Sequence, residues 1–432
     1  LNRKILNLAI PNIISNLSVP LLGAVDTALV GHLEEAYYLG AIALGGMIFN
    51  FIFWGFGFLR MGTTGLTAQA FGEENKTDSV MILARALAVA AVFSLLIVLL
   101  QAWIADLSFW VVEASPEVER YTRIYFDIRI YTAPATLCLY AINGWFLGMQ
   151  NARYPMIVTV VLNSINIALD VYFVYSLGMT VDGVALGTVI ARYSGLILAV
   201  ILLVTRYRDW LSSYAHELLL EIKGLKKFFS VNRDIFIRTL CLIFSFSFFT
   251  AKSASLGDVV LAANSILLQL WMMVSYGIDG FAYAAESLIG RFKGSRQQKR
   301  LTLAVKYCFI WGVGIGLLAS ATYAIFDVQI LQLFTDQQPV IDVAMGVFLW
   351  TIAGPTVSSF SYIWDGVFIG ATVTEPMRNS MIIATLGFFL PAYFIGEPFI
   401  GNHALWLAMT LFMLGRGLTL TLYAPKYILQ RR

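Results

Sequence analysis

Charge is what this 432-residue sequence has least of. Asp, Glu, Lys and Arg together make up 13% of it and 59% is hydrophobic, against about 25% charged residues in a soluble domain. So apolar a chain reads as a polytopic membrane protein. Its net charge of +3 is too small for a nucleic-acid-binding stripe. Cysteine is scarce, and Cys138, Cys241 and Cys308 all lie in apolar runs, which argues against a disulfide framework and a zinc site. The histidines, His32, His216 and His403, are scattered without metal-ligand spacing, so no metal and no cofactor is expected. No His–carboxylate or Cys–His arrangement recurs at catalytic spacing, and the chain is not read as an enzyme. The glycine runs at Gly55-Phe56-Gly57 and Gly312-Val313-Gly314-Ile315-Gly316 lack a following Lys-Ser or Lys-Thr, so neither is a phosphate loop. Energy for any transport must then come from an ion gradient or the substrate's own. The opening residues, Leu1 to Lys4, do not read as a signal peptide.

What is present is a series of apolar spans of membrane-crossing length. They fall at about 5–31, 38–69, 80–106, 120–150, 154–177 and 182–206, then 228–255, 259–290, 302–326, 342–371, 376–400 and 403–427. The expected fold is all-α, with twelve transmembrane helices in two six-helix lobes, 1–206 and 228–432, joined by a polar, basic linker at 207–227. Lys and Arg gather in alternate connections, including Arg153, Arg206, Lys226, Arg291 and Arg300. The intervening connections, such as Leu177 to Asp182 and Asp327 to Asp342, contain neither residue. By the positive-inside rule both termini are cytoplasmic.

The two sets repeat each other at an offset of 222 residues. Leu39, Ala41, Gly55, Leu66 and Gly72 meet Leu261, Ala263, Gly277, Leu288 and Gly294, and Asn143-Gly144 meets Asp365-Gly366. After a one-residue gap Pro155-Met156 meets Pro376-Met377. Six being even, the copies cross the membrane in the same direction about an axis along the membrane normal, and a V around a central cavity is expected.

The first span carries Asn12, Ser15, Asn16, Ser18 and Asp26 in an otherwise apolar helix, with prolines at Pro11 and Pro20. A carboxylate inside a span costs about 2.5 to 3.5 kcal/mol on insertion scales, so gaining or losing a proton at Asp26 would be a mechanical event. The repeat places Phe248 at the equivalent position. On the fifth span Asn163, Asn166 and Asp170 share one face. Counted from the outer ends, Asp26, Asp170, Thr188 and Tyr125 all fall in the outer half and could form one cluster. The competing reading of Asn163 and Asn166 is interhelical hydrogen bonding, worth about 0.6 kcal/mol each. Arg129 shares a polar stripe with Tyr125, Thr136, Tyr140 and Asn143 and is read as facing the cavity. Arg60, Arg192, Lys252, Lys306 and Arg416 read as snorkelling or pairing. Phe51, Trp54, Met61, Trp271, Met272 and Tyr276 offer a pliable aromatic and Met surface. In the second half Asp279, Glu286 and Asp365 read as either gating or packing acids.

The stretches AVDTALVGHL, FLGMQNARYPM, LNSINIALDVYFVYSLGM, VNRDIFIRTL, SLGDVVLAANSILL and YGIDGFAYAAE together resemble the multidrug and toxic compound extrusion (MATE) family, and within it the DinF branch. The resemblance covers essentially the whole chain. It implies two six-helix lobes exporting cationic or amphipathic small molecules in exchange for protons or sodium, as a monomer in the plasma (inner) membrane. It matches Asp26, Asn166, Asp170 and Thr188, with Tyr125 beside them, to the first-lobe proton site. It makes Pro11 the hinge of helix one, and places Asn143 on the first-lobe cavity, where Asn163, Arg129, Trp54 and Met61 are also read. The sodium-coupled branch has a second-lobe cation site that needs an acid on helix seven; helix seven is read as having none, and only Asp365 resembles a member. The expected ion is therefore the proton. The rivals are a sodium-coupled antiporter using the second lobe, an intramembrane transferase, and a flippase for a lipid or lipid-linked precursor. The last would want a strongly cationic cavity.

Overall fold

The computed structural model describes residues 1–30, 35–111 and 114–429, without the side chains of residues 26, 27, 30, 36 and 111. Every regular element among them is helical. Among the described residues eleven helical stretches are long and apolar enough to cross a membrane.

The described residues form two compact units, residues 14–229 (the N-unit) and residues 1–13 with 230–432 (the C-unit). The division runs through α1 (Asn2–Val30) just past Pro11. The opening turns of α1 belong to the C-unit, where the Ala9 carbonyl and Ile13 press on Gly280 so closely that a Cβ there would collide with both.

In the N-unit α1 is followed by α2 (Ala36–Gly55) and α3 (Phe58–Gly72), one apolar stretch broken at Phe56-Gly57. Then come α4 (Lys76–Leu99) and the short α5 (Gln101–Val111). Asn75 starts α4 by accepting a 3.0 Å bond from the Asp78 amide, satisfying one of the orphan donors of a first turn. The fourth expected span is built from α6 (Pro116–Arg129), a single tight turn at Ile130–Thr132, and α7 (Ala133–Gly148). α6 begins with a Ser115 cap and Pro116, carries Glu117 and Glu119 in its first turn and ends on Arg129, an arrangement that suits the helix dipole. Broken by that turn into helices of 14 and 16 residues, this stretch is not among the eleven. α8 (Arg153–Val171) and α9 (Val181–Arg206) complete the set.

The stretch expected as a linker is structured. It forms α10 (Arg208–Leu211), and its last residues begin α11 (Ile222–Ser255). Arg85 of α4, 4% exposed, donates to the carbonyls of Leu218 at 2.6 Å and Leu219 at 3.3 Å. Trp210 stacks on Phe71, and Tyr207 packs on Trp145.

The C-unit continues with α12 (Asp258–Gly294), α13 (Gln298–Ile325), α14 (Asp327–Gln332) and α15 (Gln338–Gly370). It ends with α16 (Thr374–Ile383), α17 (Leu390–Ile400) and α18 (Asn402–Tyr427). Its core gathers Phe249, Trp271, Phe389, Trp406 and Phe412.

The duplication is visible in the packing. A Cβ on Gly144 would strike the Arg60 carbonyl, and one on Gly366 would strike that of Ala282. Gly148 and Gly370 stand in the same relation to the carbonyls of Thr64 and Glu286. All four pairs are related by the offset read from the sequence, so the repeated glycines mark one backbone-to-backbone helix crossing made twice.

Candidate ion-coupling and substrate site

In the N-unit the fifth span delivers the buried carboxylate. Asp170 on α8 is 0% exposed, and its Oδ2 accepts a 2.9 Å bond from Asn166 Nδ2 one turn earlier. α9 approaches it at Gly187, where a Cβ would collide with Asp170 Oδ1; only a residue without a side chain lets the carboxyl fit. Thr188 is the next residue, buried, but its hydroxyl donates to its own helix at the Val184 carbonyl, 3.0 Å away. Thr188 therefore borders the carboxylate while its proton is committed to the backbone.

Asn163 takes the interhelical role. Its Nδ2 donates to Ser18 Oγ at 3.0 Å and to the Ser18 carbonyl at 3.4 Å, tying α8 to α1. Asn12 donates to the Leu8 carbonyl within its own helix. Asp26 is within α1, and its side chain lies outside the described residues.

Tyr125 is 1% exposed, its ring pressed onto Gly45. The contacts described for it lead to guanidinium groups: Arg129 donates to its hydroxyl, and Arg192 is its electrostatic neighbour. Arg129 lies over the rings of Phe49 and Tyr125, at 5.0 and 5.2 Å. Arg192 neighbours Arg129 and Tyr140, and Tyr140 in turn neighbours Arg60. Three helices, α3, α6 and α9, thus bring Arg60, Arg129 and Arg192 around the polar stripe expected on the fourth span. All three are half-buried. Arg192 sits mid-helix in α9. Asn143 and Met61 are half-buried in the same unit, and Trp54 is 37% exposed.

The C-unit treats its acids differently. Asp365 on α15 is 4% exposed, and its Oδ2 accepts from both Arg238 on α11 and Arg416 on α18. Both arginines are buried. The position read as a counterpart of a cation site is already filled by two fixed cations. Helix seven, expected to carry no acid, does carry one: Asp234 of α11, 2% exposed, accepts from Arg378 at 2.8 Å, from Arg233 at 3.1 Å and from Thr374 at 3.1 Å. Trp271, read as a cavity aromatic, is 2% exposed and stacks on Trp406 in the core. Asp279 and Tyr276 are half-buried and Glu286 is buried. No group of three or more His, Cys, Asp or Glu among the described residues could hold a metal ion.

An all-helical chain of apolar spans, repeated once and carrying ionisable groups inside both copies, is built as a membrane transporter. The family model described as MatE matches residues 11–172 and 235–395, and the chain belongs to that family, whose members are transporters rather than enzymes. It is 39% identical to DNA damage-inducible protein F of Escherichia coli (strain K12), across 97% of this chain and 91% of that protein. It is 25% identical to multidrug and toxin extrusion protein 1 of Homo sapiens, across 96% of this chain and 70% of that one. Among solved structures, the bent form of the Vibrio cholerae MATE transporter VcmN matches with a TM-score of 0.87, at 18% identity, covering 99% of this chain and 96% of that one. A MOP superfamily transporter from Pyrococcus furiosus matches with a TM-score of 0.90, at 20% identity, covering 99% and 96%.

Proposed function

We propose that this protein is a proton-coupled antiporter of the plasma membrane that exports amphipathic small molecules, with its coupling carboxylates in the N-unit. The observation that carries this reading is Asp170, a wholly buried carboxyl on α8 whose Oδ2 accepts from the Asn166 amide and whose Oδ1 lies against Gly187. In the C-unit the buried acids meet arginines, Asp365 with Arg238 and Arg416, and Asp234 with Arg378 and Arg233. An ionisable group buried inside a membrane span is costly and marks a proton or ion pathway.

The sequence of events follows. Asp170, with Asp26 on α1, takes a proton from outside. α1 bends near Pro11, where it passes from one compact unit to the other. The N-unit pocket changes shape and releases substrate outward. The carboxyls then deprotonate toward the cytoplasm, each charge drawing about 2.3 kcal/mol per 100 mV of membrane potential. Sodium coupling through the C-unit is disfavoured by the guanidinium groups on Asp365.

The test is export from proteoliposomes of ethidium and fluorescein, an aromatic cation and an aromatic anion, under an imposed proton or sodium gradient. Export of either dye that follows the proton gradient and ignores sodium supports the reading. Export that follows sodium alone overturns it.

A second reading has one observation in its favour. The Arg60, Arg129 and Arg192 cluster is the cationic lining that a flippase for an anionic lipid precursor would need.

A further inference from the structure

We infer that the last residues of the N-unit form a docking surface for an anionic phospholipid, with its headgroup on Lys223, Lys226 and Lys227 and the adjoining acyl region on Leu220, Ile222 and Phe229. Arg85 of α4 holds this surface in place. Its guanidinium, 4% exposed, donates to the carbonyls of Leu218 and Leu219, and Gly224 passes so close that a Cβ there would collide with it. Glu221 stands 3.9 Å from the same group. The chain is therefore pinned to α4 on both sides of Leu220 and Ile222. Arg85 lies five residues into the apolar run that begins at Val80, about 8 Å along the helix at 1.5 Å per residue. That depth is where the apolar side of an interfacial segment rests, about 5–10 Å into the boundary between headgroups and acyl chains.

What the pinning leaves outside is amphipathic. Leu220 is 76% exposed and Ile222 82%, a placement that water penalises and acyl chains do not. Beyond them α11 presents Lys223, Lys226 and Lys227, all exposed and spaced i, i+3, i+4, so that they share one face. Ile222, Lys226 and Phe229, spaced i, i+4, i+7, run along the same side of the helix, and Phe229 is 50% exposed. Basic and apolar side chains thus alternate on one exposed strip, as a headgroup with its chains beneath it requires. The charge is complementary as well. Residues 206–227 hold five Lys and Arg against three Asp and Glu, and Glu221, the acid nearest the lysines in sequence, faces Arg85. Lysines close to a membrane surface gain from anionic headgroups, and a zwitterionic headgroup offers them no net charge.

The test needs no ion gradient, so failure of proton coupling leaves its outcome unchanged. The purified full chain, in a fixed concentration of neutral detergent, is titrated with fluorescently labelled phosphatidylglycerol or phosphatidylcholine and followed by anisotropy. Phosphatidylglycerol should bind tighter. Changing Lys223, Lys226 and Lys227 together to Gln should weaken it by on the order of a hundredfold, about fivefold for each lysine, and leave phosphatidylcholine binding and the melting temperature unchanged. Changing the same three to Arg should preserve the preference. Leu220→Ser with Ile222→Ser should weaken both lipids alike. If the glutamine variant folds poorly, wild type alone decides, because raising the salt from about 0.05 to about 0.5 M should screen the lysines and weaken phosphatidylglycerol only. Equal affinity of wild type for the two lipids overturns the proposal, as does phosphatidylglycerol binding indifferent to the glutamines or to salt. Displacement of phosphatidylglycerol by millimolar inorganic phosphate overturns it too, since the patch would then be a site for a free anion.

Discussion

Replacing Asp365 by Asn should cost more stability than any other single change in the C-unit's polar interior. The substitution preserves shape and removes one charge, leaving Arg238, 6% exposed, and Arg416, 1% exposed, as two guanidinium groups in a dry helix bundle. Removing one partner of a buried ion pair costs about 3 to 5 kcal/mol, because the partner stays buried and uncompensated. Two guanidinium groups share one carboxylate oxygen here, so the upper end of that range is expected. In a unit of about 200 residues each kcal/mol moves the midpoint by about 2–4 °C, and a fall on the order of 10 °C or more follows. The assay is thermal unfolding of the purified protein in a fixed detergent. The triple variant Asp365→Asn, Arg238→Gln, Arg416→Gln should recover most of the loss, since neutralising a whole buried network is far cheaper than breaking it. An Asp365→Asn protein that melts within a degree or two of wild type would refute the reasoning, as would a triple variant no better than the single one.

Other consequences are equally direct. Gly144→Ala and Gly366→Ala push a methyl into a facing carbonyl and should each cost about 1–3 kcal/mol; Gly46→Ala, with open space around it, should be neutral or slightly stabilising in the same melting assay. Gly187→Ala displaces the Asp170 carboxyl and should cut proton-driven dye export severely while gradient-free exchange of the dye survives, which parallel proteoliposome assays would show. Arg85→Ala frees the Leu218 and Leu219 carbonyls, a loss of about 1.5–3 kcal/mol for bonds from a charged donor, and should expose residues 212–221 to limited proteolysis that spares wild type.

Much of the architecture was legible because apolar runs, turn residues and the repeat are local or periodic features. Hydrophobicity alone located the spans, and the offset of 222 reappears in the Gly144 and Gly366 crossings. What was not legible depends on contacts between distant residues. Asp365 meets Arg238 across 127 residues and Arg416 across 51; no spacing rule joins a carboxylate to guanidinium groups on two other helices, so it read as a gating or cation-site acid. Arg60 and Arg192 read as snorkelling or pairing without a named partner for the same reason, each being single on its helix. Asp234 is visible in the stretch VNRDIFIRTL, but its arginine partner Arg378 stands 144 residues away. Asn163 shows the limit of facing arguments. It shares a face with Asp170, yet its amide is spent on Ser18 of α1.

The coupling claim turns on Asp170, and one comparison tests it most directly. Wild type and Asp170→Asn are reconstituted at equal density, and dye export driven by a proton gradient is measured beside gradient-free exchange of the same dye. The account predicts that the variant keeps exchange and loses the response to the proton gradient. Wild-type proton-driven export by Asp170→Asn would contradict it.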